Sequence, residues 1–170
     1  MRAFILLICA LICGCASIPE YRTCIPTNNL KEYTLSYCGS SWQEADVELY
    51  IKTFERMWNE DPLFPHDPEK LKLALNKIVL FWQPQVFRAP GERASLLGLT
   101  YSPINDKIRI YVYIPAACRN IKCTALGHEL IHVAYGAVTG DMRIKHLTNS
   151  TRWPRSHYLF LDKVWKSSTL

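Results

Sequence analysis

The 170 residues are 49% hydrophobic and 21% charged, enough apolar material for one domain with a real core and too short a chain for several. Lys and Arg outnumber Asp and Glu to give a net charge of +5 at pH 7. The surplus is mild and no basic run is interleaved with aromatics, so no nucleic-acid partner is expected.

The chain opens on a short positive start, Met1-Arg2. An apolar run from Ala3 to Ile12 follows, interrupted by nothing stronger than Cys9. Such a run is too short for a permanent membrane span and has the form of a secretory signal. It ends in Leu11-Ile12-Cys13-Gly14-Cys15, which resembles the lipobox of bacterial lipoproteins. Ile12, Gly14 and Cys15 stand where that motif wants an aliphatic residue, a small residue and the acylated Cys; Cys13 is an unusual occupant of its place. The resemblance implies a signal peptide over 1–14, acylation of Cys15 and a membrane partner reached through that anchor. Ala16 after the Cys fits sorting to the outer membrane of a bacterial envelope, facing the periplasm. The alternative is an ordinary signal peptide cut nearby. Four further cysteines remain, Cys24, Cys38, Cys118 and Cys123. An even count in an exported chain points to two disulfides, with three pairings open. The local pairing, Cys24 with Cys38 and Cys118 with Cys123, is the one expected. No C-x-x-C occurs to favour a Cys-based zinc site.

Residues 15–39 carry Pro19, Pro26, Asn28, Asn29 and Gly39 without periodicity, and are expected to tether a domain over 40–170. Ser41 with Glu44 forms a capping box, and Val47, Tyr50, Phe54 and Met57 step by threes and fours, predicting a helix over 41–59. Asp61-Pro62 and Phe64-Pro65 end it. Asp67-Pro68-Glu69 starts a second helix, with Leu71, Ala74, Leu75, Ile78 and Trp82 on its apolar face. Gln85-Val86-Phe87-Arg88 has the form of a short strand. Leu96 to Tyr101 and Lys107 to Ile114 flank a turn-forming Ser102-Pro103-Ile104-Asn105-Asp106 and predict a hairpin. Ile108, Ile110, Val112 and Ile114 should face the core, with Arg109, Tyr111 and Tyr113 on a solvated or functional face. Tyr158, Leu161 and Trp165 mark a short C-terminal helix.

Between hairpin and C-terminus lies His128-Glu129-Leu130-Ile131-His132, an H-E-x-x-H. Residues i and i+4 of a helix share a face, so both imidazoles can reach one metal ion, with Glu129 beside it as a proton acceptor. The alternative is two surface histidines on an ordinary helix. Leu126, Leu130, Val133 and Ala137 form an apolar stripe pointing away from His128, so a wet, ligand-bearing face is expected opposite the core. Gly136 and Gly140 are candidate helix stops.

The succession of helices, an antiparallel ribbon, an H-E-x-x-H helix and a terminal helix resembles the zincin metallopeptidases, over roughly residues 84 to 146. The resemblance implies an α+β, zincin-like fold, in which N-terminal helices precede a small antiparallel sheet packed on the H-E-x-x-H helix. It also implies one Zn²⁺, a peptide or protein substrate, and a strand beside the cleft, Lys107–Ile114 or Leu96–Tyr101, that pairs with the substrate backbone. A catalytic zinc takes three protein ligands and keeps a position for water. The metzincin extension is absent, since Tyr135 and Val138 stand in its places, and no Glu follows Glu129. Candidates for the third ligand are His146, His157, Asp141 and Asp162. His146 is preferred because Gly140-Asp141 followed by a His is similar to a pattern in small bacterial zincin-like lipoproteins. Asp141 is expected to cap the turn or orient a ligand His. Tyr135, Arg152, His157 and Tyr158 are candidates to stabilise an oxyanion, and His66 is expected in an exposed loop. The function expected is zinc-dependent hydrolysis of a peptide bond at the envelope. The alternative is a non-enzymatic metal-binding lipoprotein that serves as a binding or structural module. Substrate preference and oligomeric state have no signal in the sequence.

Overall fold

A computed structural model describes residues 28–29, 36–38, 44–65, 67–91, 93, 95–104, 106–113, 125–142 and 156–168. Helix α1 runs over Glu44–Glu60. Its stripe of Val47, Tyr50, Ile51, Phe54 and Trp58 is almost wholly buried, as the three-and-four spacing requires. Helix α2, Pro68–Leu75, starts where the sequence predicts: the Asp67 side chain accepts the Lys70 backbone N–H and Pro68 opens the first turn. The expected continuation through Ile78 and Trp82 does not occur. The helix stops at an Asn76 cap and Ile78–Gln83 is strand β3. Ile-Val-Leu-Phe-Trp-Gln is a continuous apolar run, and β3 is an interior strand with a parallel neighbour on each side. Such strands bury both faces and lose the alternation by which strands are recognised.

The hairpin forms as expected. Strands β4 (Gly98–Ile104) and β5 (Lys107–Tyr113) pair antiparallel, with Asp106 turning at a φ of 63°. The register shifts between Tyr101 and Ile104, around Pro103, and a proline that cannot donate to a ladder is tolerated on an edge strand. Two short strands, β1 (Asn28–Asn29) and β2 (Ser36–Cys38), come from the stretch read as tether, and β2 lies parallel to β3. The sheet order is β1-β2-β3-β5-β4. It is therefore mixed rather than antiparallel, because α1 and α2 carry the chain from β2 to β3 as a crossover. Among the described residues Gln85–Arg88 makes no full strand, and Phe87 bridges to Leu96.

Helix α3, Ala125–Thr139, holds the H-E-x-x-H and packs on β4, β5 and α2, while helix α4, Ser156–Ser168, packs on α1. Ile78, Leu80, Ile108, Ile110 and Val112 face these helices and join one core with Leu126, Leu130 and Val133. Trp58 stands at the junction of the helices. Phe64 stacks on it at 4.5 Å, Tyr135 and Phe160 meet it edge-on, and its indole N–H donates to the Pro65 carbonyl at 3.0 Å. The opposite face of the sheet, expected to be solvated or functional, is covered at Tyr111, with Arg109 and Tyr113 half-buried. Tyr111 is 1% exposed and stacks on Phe81 at 4.7 Å beneath Phe87 and Leu96. The 84–97 excursion from β3 to the outer strand covers that face with a second, smaller core. No described helix is long and apolar enough to cross a membrane. The described residues thus form an α+β domain with the H-E-x-x-H helix against its sheet.

Candidate functional site

Within α3, His128 and His132 lie one turn apart with ring centres 5.3 Å from each other and planes at 73°. Two imidazoles sharing one tetrahedral ion, each nitrogen about 2 Å from it, hold their ring centres about 5 Å apart. The pair therefore fits a common metal ion. His157, in the first turn of α4, brings its ring centre to 6.1 Å from that of His128 and is 2% exposed. Among the described residues no group of three or more His, Cys, Asp or Glu side chains is assembled closely enough to hold a metal. The preferred third ligand, His146, lies outside the described residues, as do His66, Arg152 and the cysteines Cys15, Cys24, Cys118 and Cys123.

The face that carries the pair is covered only in part, with His128 half-buried. Glu129 is 4% exposed and His132 8%, so the burial of α3 reaches beyond its apolar stripe. What covers Glu129 is β4. Gly98 pairs with Val112 and Thr100 with Ile110, which puts both on the sheet face that meets α3. The Thr100 hydroxyl donates to Glu129 Oε2 at 2.5 Å. A Cβ at Gly98 would collide with Glu129 Oε1, so only glycine leaves room for this carboxyl. Burial pushes the carboxyl up to about 7, a rise that the Thr100 hydrogen bond partly offsets. A buried acid poised near neutrality is suited to accept and return a proton.

His132 is oriented from its other side. Its Nδ1 lies 3.2 Å from the Met142 carbonyl. That carbonyl can only accept, so Nδ1 carries the proton and Nε2 is the nitrogen able to bind a metal. Asp141, expected to cap or orient, is exposed, and its backbone N–H donates to the Thr139 hydroxyl at 3.3 Å. Among the described residues the group seen to orient His132 is the Met142 carbonyl. Tyr135 lies edge-on to Trp58 at 5.4 Å, within the aromatic core, and Asp162 pairs with Lys166 at 2.7 Å. Gly136 is not a stop, because the helix continues to Thr139 and turns at Gly140, whose φ is 78°.

Gly98, Thr100, Gly136 and Met142 were not legible as site residues. A glycine inside an apolar helix is the one local signal among them, since it marks a close approach by another part of the chain. Compared with known proteins, the chain matches no family model, no curated protein and no solved structure.

Proposed function

We propose that this chain is a zinc-dependent peptide-bond hydrolase of zincin type, exported to the bacterial envelope and anchored there through Cys15. The observation that carries the proposal is a buried Glu129 carboxyl on the same helix turn as a His128–His132 pair spaced for one ion. The donor set supports zinc: two imidazoles, one with its tautomer set by a carbonyl, and a neighbouring carboxyl for proton transfer. His128 and His132 would hold the ion, and of the two histidine candidates for a third ligand His157 is the one that the described residues bring near, its ring about an ångström farther from His128 than shared ligation asks. Bound there, zinc would supply Lewis-acid polarisation of the scissile carbonyl and acidify water.

The remaining chemistry belongs to the chain. Thr100 occupies Glu129 Oε2, so Oε1 is the oxygen that takes a proton from water and returns it to the leaving amine. Gly98 lets the carboxyl pack against β4, in the place that a Cβ would fill. Of the two strands considered for pairing with substrate, β5 is enclosed between β3 and β4, whereas β4 is outermost on its side of the sheet among the described residues. The role therefore falls to β4.

The test is Glu129→Gln, which keeps the size of the side chain and removes the base. The variant should retain zinc and fold while losing several orders of magnitude in hydrolysis of an unstructured peptide mixture. Cleavage at the wild-type rate would end the proposal. The burial of Glu129, His132 and His157 also favours a non-enzymatic site closed by a fourth protein ligand. X-ray absorption would distinguish the two: three imidazoles plus an oxygen support the hydrolase, four imidazoles the closed site.

A further inference from the structure

The last turn of α3 is built around a missing side chain. Gly136 lies four residues after His132, on the same face of the helix. Gly140, at a φ of 78°, donates its N–H to the Gly136 carbonyl at 2.9 Å and reverses the chain. The Thr139 hydroxyl reinforces the reversal, donating to the Tyr135 carbonyl at 2.7 Å and accepting the Asp141 N–H. Met142 then comes back over the helix against Gly136. A Cβ at Gly136 would collide with Met142 Cγ and press on its Cβ and Cε at 3.2 Å. Where Met142 comes to rest, its carbonyl meets His132 Nδ1.

We propose that the contact of Met142 with Gly136 is a positioning device that locks the His132 ring with the proton on Nδ1, the tautomer in which Nε2 carries none, before any metal arrives. The inference deepens the zinc hydrolase proposed above and rests on His132 being a ligand. Its logic is general: a second hydrogen bond fixes a ligand histidine's tautomer and ring orientation, and removing such a partner lowers metal affinity by roughly 10–100-fold. The partner here is a backbone carbonyl, so no side-chain replacement removes it directly. It is displaced by filling the gap at Gly136 or by removing the side chain that anchors Met142.

The test is a cycle of variants read by two measurements on the metal-free protein. Long-range proton–nitrogen correlation spectra report the tautomer of His132, and competition with a chromogenic chelator reports zinc affinity. Wild type should show His132 with Nδ1 protonated. Gly136→Ala should preserve α3, alanine being the better helix former, while mixing the tautomers and weakening zinc by roughly 10–100-fold. Met142→Ala should also weaken it. The double variant should regain most of the affinity, because the new methyl at 136 fills space left by the Met142 side chain, a non-additivity expected of residues in direct contact. A wild-type His132 protonated on Nε2, a Gly136→Ala variant with wild-type affinity, or a double variant no tighter than Gly136→Ala would each overturn the inference. Should Gly136→Ala fail to fold, the wild-type tautomer and Met142→Ala decide it. Wild-type protein that takes up no zinc while Nδ1 stays protonated would defeat the metal proposal and leave the locking of His132 standing.

Discussion

At Glu129 the fold holds a carboxyl 4% exposed, with the Thr100 hydroxyl against one oxygen and Gly98 against the other. Burial penalises the charged form, so folding raises this group from 4.5 to about 7. An acid whose folded value is raised contributes stability that is fully present below its unfolded value and is lost as pH rises through the folded one. Metal-free protein should therefore lose stability between pH 4.5 and about 7, by a ceiling of about 3 kcal/mol from this group. Melting temperatures of wild type and Glu129→Gln across that window test it. Their difference should change with pH, and parallel curves would contradict the burial of a titrating carboxyl. The three residues of the motif were legible because their relation is local: i, i+1 and i+4 on a helix keep their geometry wherever the helix goes. Thr100 was not, because its place under Glu129 depends on a strand register 29 residues away in sequence.

Helix α3 can serve both core and site because it carries glycines where neighbours come closest. A Cβ at Gly127 would collide with the Tyr50 hydroxyl on α1 and with Leu161 on α4. Gly127→Ala should destabilise the domain by about 1–3 kcal/mol through overpacking, seen as a lower thermal midpoint by circular dichroism. An unchanged midpoint would mean that the helices part at little cost. Helix α4 contributes His157, whose ring stands at 6.1 Å from His128. His157→Ala should accordingly abolish tight zinc binding in a chelator competition, with His146→Ala changing it little. The opposite pattern would transfer the ligand role to His146. The element boundaries divide in the same way. The capped start of α2 at Asp67-Pro68 was readable because capping is local. Its end was not, because Ile78 and Trp82 fit a helical stripe as well as they fit a buried strand, and only the neighbours β2 and β5 make the run a strand.

For the whole molecule the proposal places a hydrolase domain on a lipid tether. Fatty-acid labelling should tag the wild-type chain, and Cys15→Ser should abolish the tag and release soluble protein. Labelling that survives the substitution would move the anchor elsewhere. What depends on near neighbours in sequence is readable without the fold: an α+β chain, the hairpin around Asp106, the capped start of α2 and the H-E-x-x-H pair. The mixed order of the sheet, the second core under Phe87 and the cover over Glu129 depended on pairings between distant segments. A β-strand presents the same backbone hydrogen-bonding groups to any neighbour, so its partner is chosen by the whole set of apolar faces that must be buried at once. That collective choice brings Thr100 and Gly98 to Glu129, and α4 to the side of His128. Close packing then decides the rest. Gly136 read locally as a stop, but with α3 continuing past it, the absent side chain became the space that Met142 fills beside His132.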